Sequence, residues 1–340
     1  MLEVELFRFE VGLDYASYYK PYYFKNYNFE SLRELLGDIQ KSDPYFKFEG
    51  VEWVKIDDYL VNLDANLKDV INFAGKHLFI SPLYQKRSLK DLIIDENDFL
   101  NTFEKFSEFK EEKEFYQSLK PLFYSNITLA FKDDFIGNSA FVFAVHLLNK
   151  FPSKKDKILN IIENDINYYI SPRFMFEDPF NTNECVEKLR KELGLEPMKK
   201  SIKFIENFND INSNVSFDGF KIAVYNDKNL ENFVKSLGAK VVKFEFSDRC
   251  SGAEIYKHDN KIATAIASKI VFSAVDAGSD FLVVNDKSAF EMFEGRAKEI
   301  EKYANRNLIS YYILNADELV SLAEGKNVNF TNHKLVVEIK

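Results

Sequence analysis

Few of the 340 residues carry side chains that ordinarily perform covalent or redox chemistry. There are two cysteines, Cys185 and Cys250, and four histidines, His77, His146, His258 and His333. An iron–sulfur cluster ordinarily takes four thiolates, so two cysteines in separate regions cannot hold one. The histidines show neither HxH nor HExxH spacing, and no histidine metal centre is expected. GxGxxG and GxxxxGKS/T are both absent, so neither a dinucleotide nor a P-loop nucleotide is expected. The remaining reactive group lies in the last third of the chain: Asp248, Cys250, His258, Asn285, Asp286 and Lys287. These residues fall near the ends of expected strands in an α/β alternation, and the carboxyl edge of such a sheet is where ligands bind. Near Arg249 or Lys287, Cys250 would be a thiol of low pKa, and cysteine, histidine and aspartate together could hold a lone metal ion. Neither spacing is diagnostic, and fragments of a motif without their partners read more simply as packing. No catalytic residue, metal ligand or cofactor is assigned.

The elements that would position this group follow from periodicity. Leu2, Val4 and Leu6 alternate as in a half-buried strand, with Tyr22–Tyr27 as its partner. A helix is predicted over Phe29–Ile39 with Asn28 as its N-cap, because Leu32, Leu35, Leu36 and Ile39 share one face. Short strands follow at Trp53–Ile56, Tyr59–Leu63 and Leu78–Pro82. Residues 97 to about 195 become helical, with helices predicted at Asn97–Phe109, Phe115–Phe123, Ser139–Asn149, Lys154–Asn164 and Asn183–Leu193. Gly194 and Pro197 end that region. Beyond residue 200, strands Lys221–Tyr225, Val241–Phe244, Phe281–Val284 and Ser310–Leu314 alternate with helices Leu230–Leu237, Lys261–Ala277, Ala289–Asn305 and Ala316–Gly325. The expected fold class is α+β multidomain, divided at 1–96, 97–200 and 201–340.

With 46% hydrophobic and 29% charged residues the balance is that of a globular chain able to bury substantial cores. A net charge of −9 argues against nucleic acid as a partner, since phosphate binding needs clustered Lys and Arg. Lys199, Lys200 and Lys203 are a local exception that reads as a solvated linker edge, and Asp95, Glu96, Asp98 and Lys110–Lys113 as a solvated helix entrance and face. No run approaches 18 apolar residues, and the charges of MLEVELFRFE do not form the basic end followed by an apolar stretch that a signal peptide needs, so a cytoplasmic chain without direct membrane insertion is expected. Phe and Tyr are abundant, 34 and 18 against one Trp, and Tyr15–Phe29 holds six tyrosines. Tyrosine suits both strand packing and partly wet contact surfaces.

Three resemblances line up in chain order. FRFEVGLDYASYYKPYYF, SDPYFKF and LFISPLYQKRSLKDLIIDENDFLNTFEKF resemble the plant-type ferredoxin domain of the iron–sulfur subunit of succinate dehydrogenase and fumarate reductase. DFIGNSAFVFAVHLL and DPFNTNECVEKLRKELGL resemble the helical ferredoxin domain of that subunit. DRCSGAEIYKHDNKIATAIASKI, DAGSDFLVVNDKSAFEMF and ISYYILNADELVSLAEG are similar to the CCG domain of heterodisulfide reductase subunits, the HdrB-like type. The resemblance implies a β-grasp ferredoxin-like domain, then a helical ferredoxin-like domain, then an α/β CCG-like domain.

The departures fall on the metal ligands. FEGVEWVKIDDYLVNLDA stands where the first domain would carry its thiolates, with Glu52 and Trp53 about where the cluster would sit. Tyr116–Thr128 and Tyr168–Asn181 stand where the second would carry two cysteine runs, and Cys185 lies just past them on an expected helix as a buried structural thiol. Where the third has CCG this chain has Cys250, Ser251 and Gly252, and its CPxC pair is replaced by Asp286 and Ala289 after Asn285. Carboxylate and indole do not replace soft thiolates. The expectation is therefore a non-catalytic interaction, assembly or regulatory protein without iron–sulfur clusters. Its partner would be a protein, a respiratory flavoprotein or membrane-anchor subunit, through which it would sit peripherally at the inner membrane. The competing expectation is a redox, hydrolytic or metal-dependent enzyme that uses Cys250 as thiol or ligand and Asp286 or His258 as acid and base.

Overall fold

Strand β1 (Leu2–Arg8) sends Leu2, Val4 and Leu6 into a core and leaves Glu3 and Glu5 on the opposite face, the period of two that a half-buried strand requires. The computed structural model describes residues 1–198 and 201–328, so Lys199, Lys200 and His333 lie outside the described residues. The chain divides into two units, Met1–Pro197 and Met198–Lys340, and the whole is a mixed α+β arrangement with several sheets.

In the first unit β1 pairs antiparallel with β2 (Tyr18–Phe24) and parallel with β5 (His77–Ser81); β3 (Trp53–Ile56) joins β5 to β4 (Tyr59–Asn62). The order is β2-β1-β5-β3-β4. Helix α1 (Leu32–Ser42) covers one face with Leu32, Leu35, Leu36 and Ile39, and α2 (Leu67–Ala74) adds Leu67 and Val70. The predicted start of α1 at Phe29 is too early: Ser31 is the N-cap, accepting from Glu34 N at 3.3 Å while Glu34 Oε2 accepts from Glu30 N at 2.9 Å. Helix α2 was absent from the sequence reading because Asn66, its N-cap, stands before only two turns. Strand β2 lies earlier than Tyr22–Tyr27, and Pro21 sits in it without cost because β2 is an edge strand.

Arg8 closes this sheet against its helix. Its guanidinium bonds Asp43, the C-cap of α1, and donates from Nε to Asp91 Oδ1 at 2.9 Å. Asp91 sits in the turn between the short strands β6 (Ser88–Lys90) and β7 (Ile93–Ile94), and its other oxygen accepts from Lys47 N at 2.9 Å. All three side chains are buried. Burial alone would raise the Asp43 pKa, but bonds from Lys20, Tyr22 and Arg8 outweigh it and hold the carboxyl well below the usual range.

The rest of the first unit is helical: α3 (Asn97–Thr102), α4 (Lys113–Ser118), α5 (Lys120–Phe123), α6 (Gly137–Lys150), α7 (Lys155–Ile162) and α8 (Thr182–Glu192). The predicted helix Asn97–Phe109 is interrupted. After α3 the chain runs in 3₁₀ turns over Phe103–Glu112, leaving helical geometry at Phe106 and Phe109. Phe103, Phe106 and Phe109 are all buried, and a spacing of three aligns side chains in a 3₁₀ rather than an α-helix. Helix α6 is buried nearly all round, so it is the axis about which α5, α7 and α8 pack.

In the second unit four parallel strands, β8 (Lys221–Tyr225), β9 (Lys240–Val242), β10 (Phe281–Val284) and β11 (Tyr312–Asn315), form a sheet ordered β11-β10-β8-β9. Helices α9 (Lys228–Ser236) and α13 (Ala316–Ala323) pack on the face carrying Ile222, Val224, Val283 and Leu314. Helix α10 (Asn260–Asp276) packs on β10 and on α12 (Ala297–Ala304). The single helix predicted over Ala289–Asn305 is instead α11 (Lys287–Phe290), a π turn over Glu291–Gly295, and α12. Gly295 weakens the helix there, and the π turn seats Phe293 edge-on against Tyr225 at 5.0 Å. Among the described residues no helix is long and apolar enough to cross a membrane.

Arg8→Met leaves the buried Asp91 without its cation and Asp43 with Lys20 alone, and should cost about 3–5 kcal/mol. A carboxylate whose pKa is depressed by folding contributes stability that is complete above its unfolded value of about 4 and is lost as pH falls below it. Urea unfolding of the wild type from pH 6 down to pH 2 should therefore show a steep loss below about pH 4, flattened in Arg8→Met; equal slopes would remove this role for Asp43.

Candidate functional site

The strand order of the second unit creates one privileged place. From β8 the chain first steps to β9, then crosses back over β8 to β10 and β11, so neighbours β8 and β10 leave the sheet in opposite directions at their carboxyl ends. Such a switch point opens a crevice where α/β proteins bind ligands. Tyr225 and Val284 are paired at its rim, and Asn226, Asp227, Asn285 and Asp286 follow immediately.

Here the chain itself occupies the crevice's edge. Residues 201–205 run antiparallel to Asn285–Lys287, with Phe204 N donating to Asn285 O at 2.9 Å and Lys287 N to Ile202 O at 2.9 Å. The Asn285 amide is fully committed: Oδ1 accepts from Ile205 N at 3.0 Å, and Nδ2 donates to Ile205 O at 2.9 Å and to Asp227 Oδ2 at 2.8 Å. Asp227 is committed likewise. As N-cap of α9 it accepts from Asn229 N and Leu230 N through Oδ1, and its Oδ2 also takes the Lys203 ammonium at 2.8 Å. Burial pushes its pKa up, but Lys203 and Asn285 prevail and keep it low. Asp286 caps α11 by accepting from Ala289 N at 2.6 Å and bonds Ser201 Oγ. The Lys287 ammonium lies over the Phe204 ring, 5.5 Å from its centroid.

On the other side of the rim the structure gathers Asp248, Cys250 and Asp286 around Tyr225. The Tyr225 hydroxyl donates to Arg249 O, and burial followed by the charges of Cys250 and Asp286 raises its pKa well above the phenol value. Tyr225 was missed in the sequence; its place as the last residue of β8, one step from the switch point, was the available signal. The expectation of a low-pKa Cys250 is corrected. Burial, then Glu254, push the thiol up to about 12, with Asp286 adding to the effect and the Gly252 N–H, 3.4 Å from Sγ, opposing it. Arg249 is itself pushed down to about 10 by burial. His258 stands exposed on the turn before α10. Gly252 has a packing explanation: it has φ +84°, and a Cβ there would come within 2.7 Å of the Ala263 carbonyl oxygen on α10.

The segments of the first unit that stand at expected cluster positions are also filled. Trp53 packs edge-on against Phe174 at 5.8 Å and tilts against Phe180. Tyr116, fully buried, stacks on Phe99 at 4.9 Å and meets Phe143 edge-on at 5.0 Å. Two buried amides join the loops: Asn126 Nδ2 donates to Asn138 Oδ1 at 3.0 Å and to Tyr168 O at 2.9 Å, and Asn138 Nδ2 donates to Ile170 O at 2.8 Å. Asn138 can sit there because Gly137, at φ +76°, leaves the room a Cβ would take from Phe123. Cys185 on α8 is half-buried, its thiol 3.8 Å from Phe180 O, and burial raises its pKa. In the second unit a cleft of about 100 Å³ near Glu294, Lys298, Glu301 and Tyr311 is smaller than pockets for drug-sized ligands, about 300–1,000 Å³.

Residues 253–334 match the HdrB-like C-terminal domain family. The fold is similar to that in a crystal structure of a hypothetical protein from Helicobacter pylori, with a TM-score of 0.71 over 97% of this chain and 96% of that one, at 17% identity. A chain of the Mycobacterium smegmatis Sdh1 complex in the apo form aligns over 58% of this chain and 98% of its own with a TM-score of 0.34 and 12% identity, too weak to bear on the fold. Comparison with curated proteins finds no match.

Two outcomes follow from this geometry. Asn285→Ala strips the Asp227 carboxylate and the Ile205 backbone of partners and should lower stability by about 1–3 kcal/mol in urea unfolding; an unchanged midpoint would mean that residues 201–205 are not held by this amide. At pH 8 alkylation of Cys250 by iodoacetamide should run about two to three orders of magnitude slower than that of a free thiol, because the thiolate is the nucleophile. Labelling at the free-thiol rate in the native protein would restore Cys250 as a reactive residue.

Proposed function

We propose that this chain is a non-catalytic docking or assembly component of a respiratory redox complex, carrying ferredoxin-like domains that hold no iron–sulfur clusters. In this reading a β-grasp domain spans 1–96, a helical ferredoxin-like domain 97–200 and an HdrB-like α/β domain 201–340. The observation that carries it is the Asn126–Asn138 clamp. It ties together two segments, 116–128 and 168–181, that by resemblance would surround metal clusters, and it does so with buried amides committed to each other and to the carbonyls of Tyr168 and Ile170. Tunnelling between redox centres needs closely spaced centres, and segments 116–128 and 168–181 contain no cysteine to supply the thiolates a cluster takes.

What remains for function is surface. Tyr19, Tyr23 and Phe79 are exposed on the outer face of the first sheet, at 37%, 57% and 41%, and exposed aromatics of this kind serve as interface anchors. The partner in this reading is a flavoprotein subunit, with a membrane-anchor subunit as the other resident of the same complex. The net charge of −9 leaves nucleic acid outside the proposal. The enzyme reading draws no comparable support, since the carboxylates at the switch point are capped and Cys250 is held as the thiol.

Protein purified without air should be colourless and free of iron and acid-labile sulfide. Tagged full-length chain should recover a flavin-containing subunit of a respiratory complex, and the triple variant Tyr19→Ala, Tyr23→Ala, Phe79→Ala should recover about tenfold less. Stoichiometric iron and sulfide, or recovery of neither a flavoprotein nor an anchor subunit, would overturn the proposal.

A further inference from the structure

We propose that Glu3, Glu5 and His77 form a surface site for one divalent transition-metal ion of the zinc class. Strand β1 alternates, so Glu3 and Glu5 share the outer face of the sheet. The parallel register of β1 with β5 sets His77 directly beside Glu3. His77 Nε2 lies 3.9 Å from Glu3 Oε1 and 3.9 Å from Glu5 Oε1. The three donor atoms all lie within 4.8 Å of one another. Zinc bonds of about 2.0–2.2 Å to nitrogen and oxygen place ligand atoms on one ion roughly 3–3.5 Å apart, so a small rotation of the side chains completes the set.

Two features distinguish this group from an ordinary acidic surface. First, among the described residues no lysine or arginine pairs with Glu3 or Glu5, and the imidazole is the neighbour that both carboxylates face. Like charges side by side on a sheet face repel, and a divalent cation between them removes that cost. Second, the donors have aromatic neighbours on the same face. Tyr23 stands opposite Glu3 across the β1–β2 ladder, and the His77 ring leans on Phe79 with centroids 4.6 Å apart. Neighbours of ligating side chains help to hold their orientation.

The donor chemistry selects the ion. One imidazole nitrogen with two carboxylate oxygens suits Zn²⁺, Co²⁺, Fe²⁺ or Mn²⁺, whereas Mg²⁺ and Ca²⁺ prefer oxygen alone. Three protein ligands on an accessible face leave at least one coordination position to water. The site stands apart from the docking proposal, because neither its donors nor its test depends on a partner.

Metal-stripped full-length protein should be titrated with Zn²⁺ by calorimetry and with Co²⁺ by visible absorption. One equivalent should bind without competition from millimolar Mg²⁺, and Zn²⁺ should raise the Tm. His77→Ala and Glu5→Gln should each weaken binding more than about tenfold. Without metal, Glu5→Gln should melt at or above the wild-type temperature, since it removes a like charge, and His77→Gln serves as a second variant should His77→Ala fail to fold. No binding would overturn the proposal, and equal affinity in wild type and folded variants would place the ion elsewhere and overturn it too.

Discussion

The amide of Asn285 governs the second unit. At the carboxyl end of β10 it spends two donated protons and one accepted bond on residue 205 and on Asp227, and through Asp227 it reaches both the N-terminus of α9 and the Lys203 ammonium. A buried amide must find partners for its protons and its oxygen, and those partners fix the position of residues 201–205 across the switch point. The crevice that sheet topology opens is thereby edged by the backbone of residues 201–205. Next in sequence, Asp286 caps α11 and bonds Ser201 Oγ on the same segment.

An analogous solution recurs in the first unit. There the resemblance directs attention to loops that would surround clusters, and the structure fills them with rings and two asparagines. Aromatic rings bring large apolar area and edge-to-face contacts, while the asparagines donate to the loop carbonyls of Tyr168 and Ile170. Gly137 is the geometric condition for this, since any side chain there would meet Phe123. Gly252 plays a comparable part against α10. At both positions the glycine answers to close approach of its neighbours, a phenyl ring in one case and a helix backbone in the other.

Much of the strand pattern was legible. Trp53–Ile56, Lys221–Tyr225 and Phe281–Val284 were read with their observed bounds because short apolar runs there admit no competing helix. Boundaries set by capping were harder: Ser31 and Asn28 are both acceptable N-caps in sequence, and the Glu34 carboxylate decides between them by reaching back to residue 30. The phenylalanines at 103, 106 and 109 are read as a helix face only if the period is taken as 3.6, and the structure takes it as three. The candidate residues Asn285 and Asp286 were found, but their hydrogen-bond partners 201, 205 and 227 lie far away in sequence, so their structural duty was hidden. His77, Glu3 and Glu5 were hidden for a related reason, since only the β1–β5 register brings them together.

The distribution of polar commitment separates interior from surface. Inside, Arg8 is matched to Asp43 and Asp91, Asn126 to Asn138, and Asn285 to Asp227, each pairing holding together segments distant in sequence. Outside, the face of the first sheet that turns away from its helices carries two carboxylates that share one imidazole, beside exposed rings at Tyr19, Tyr23 and Phe79. An uncompensated like-charge pair and exposed aromatic area both cost free energy in the isolated chain, and both are relieved by something bound from solvent. At the carboxyl edge of the α/β sheet Asp227 and Asp286 serve as helix caps and Asn285 bonds residue 205. The unrelieved interactions lie instead on the opposite kind of surface, the open face of the mixed sheet, and it is there that binding has the most free energy to gain.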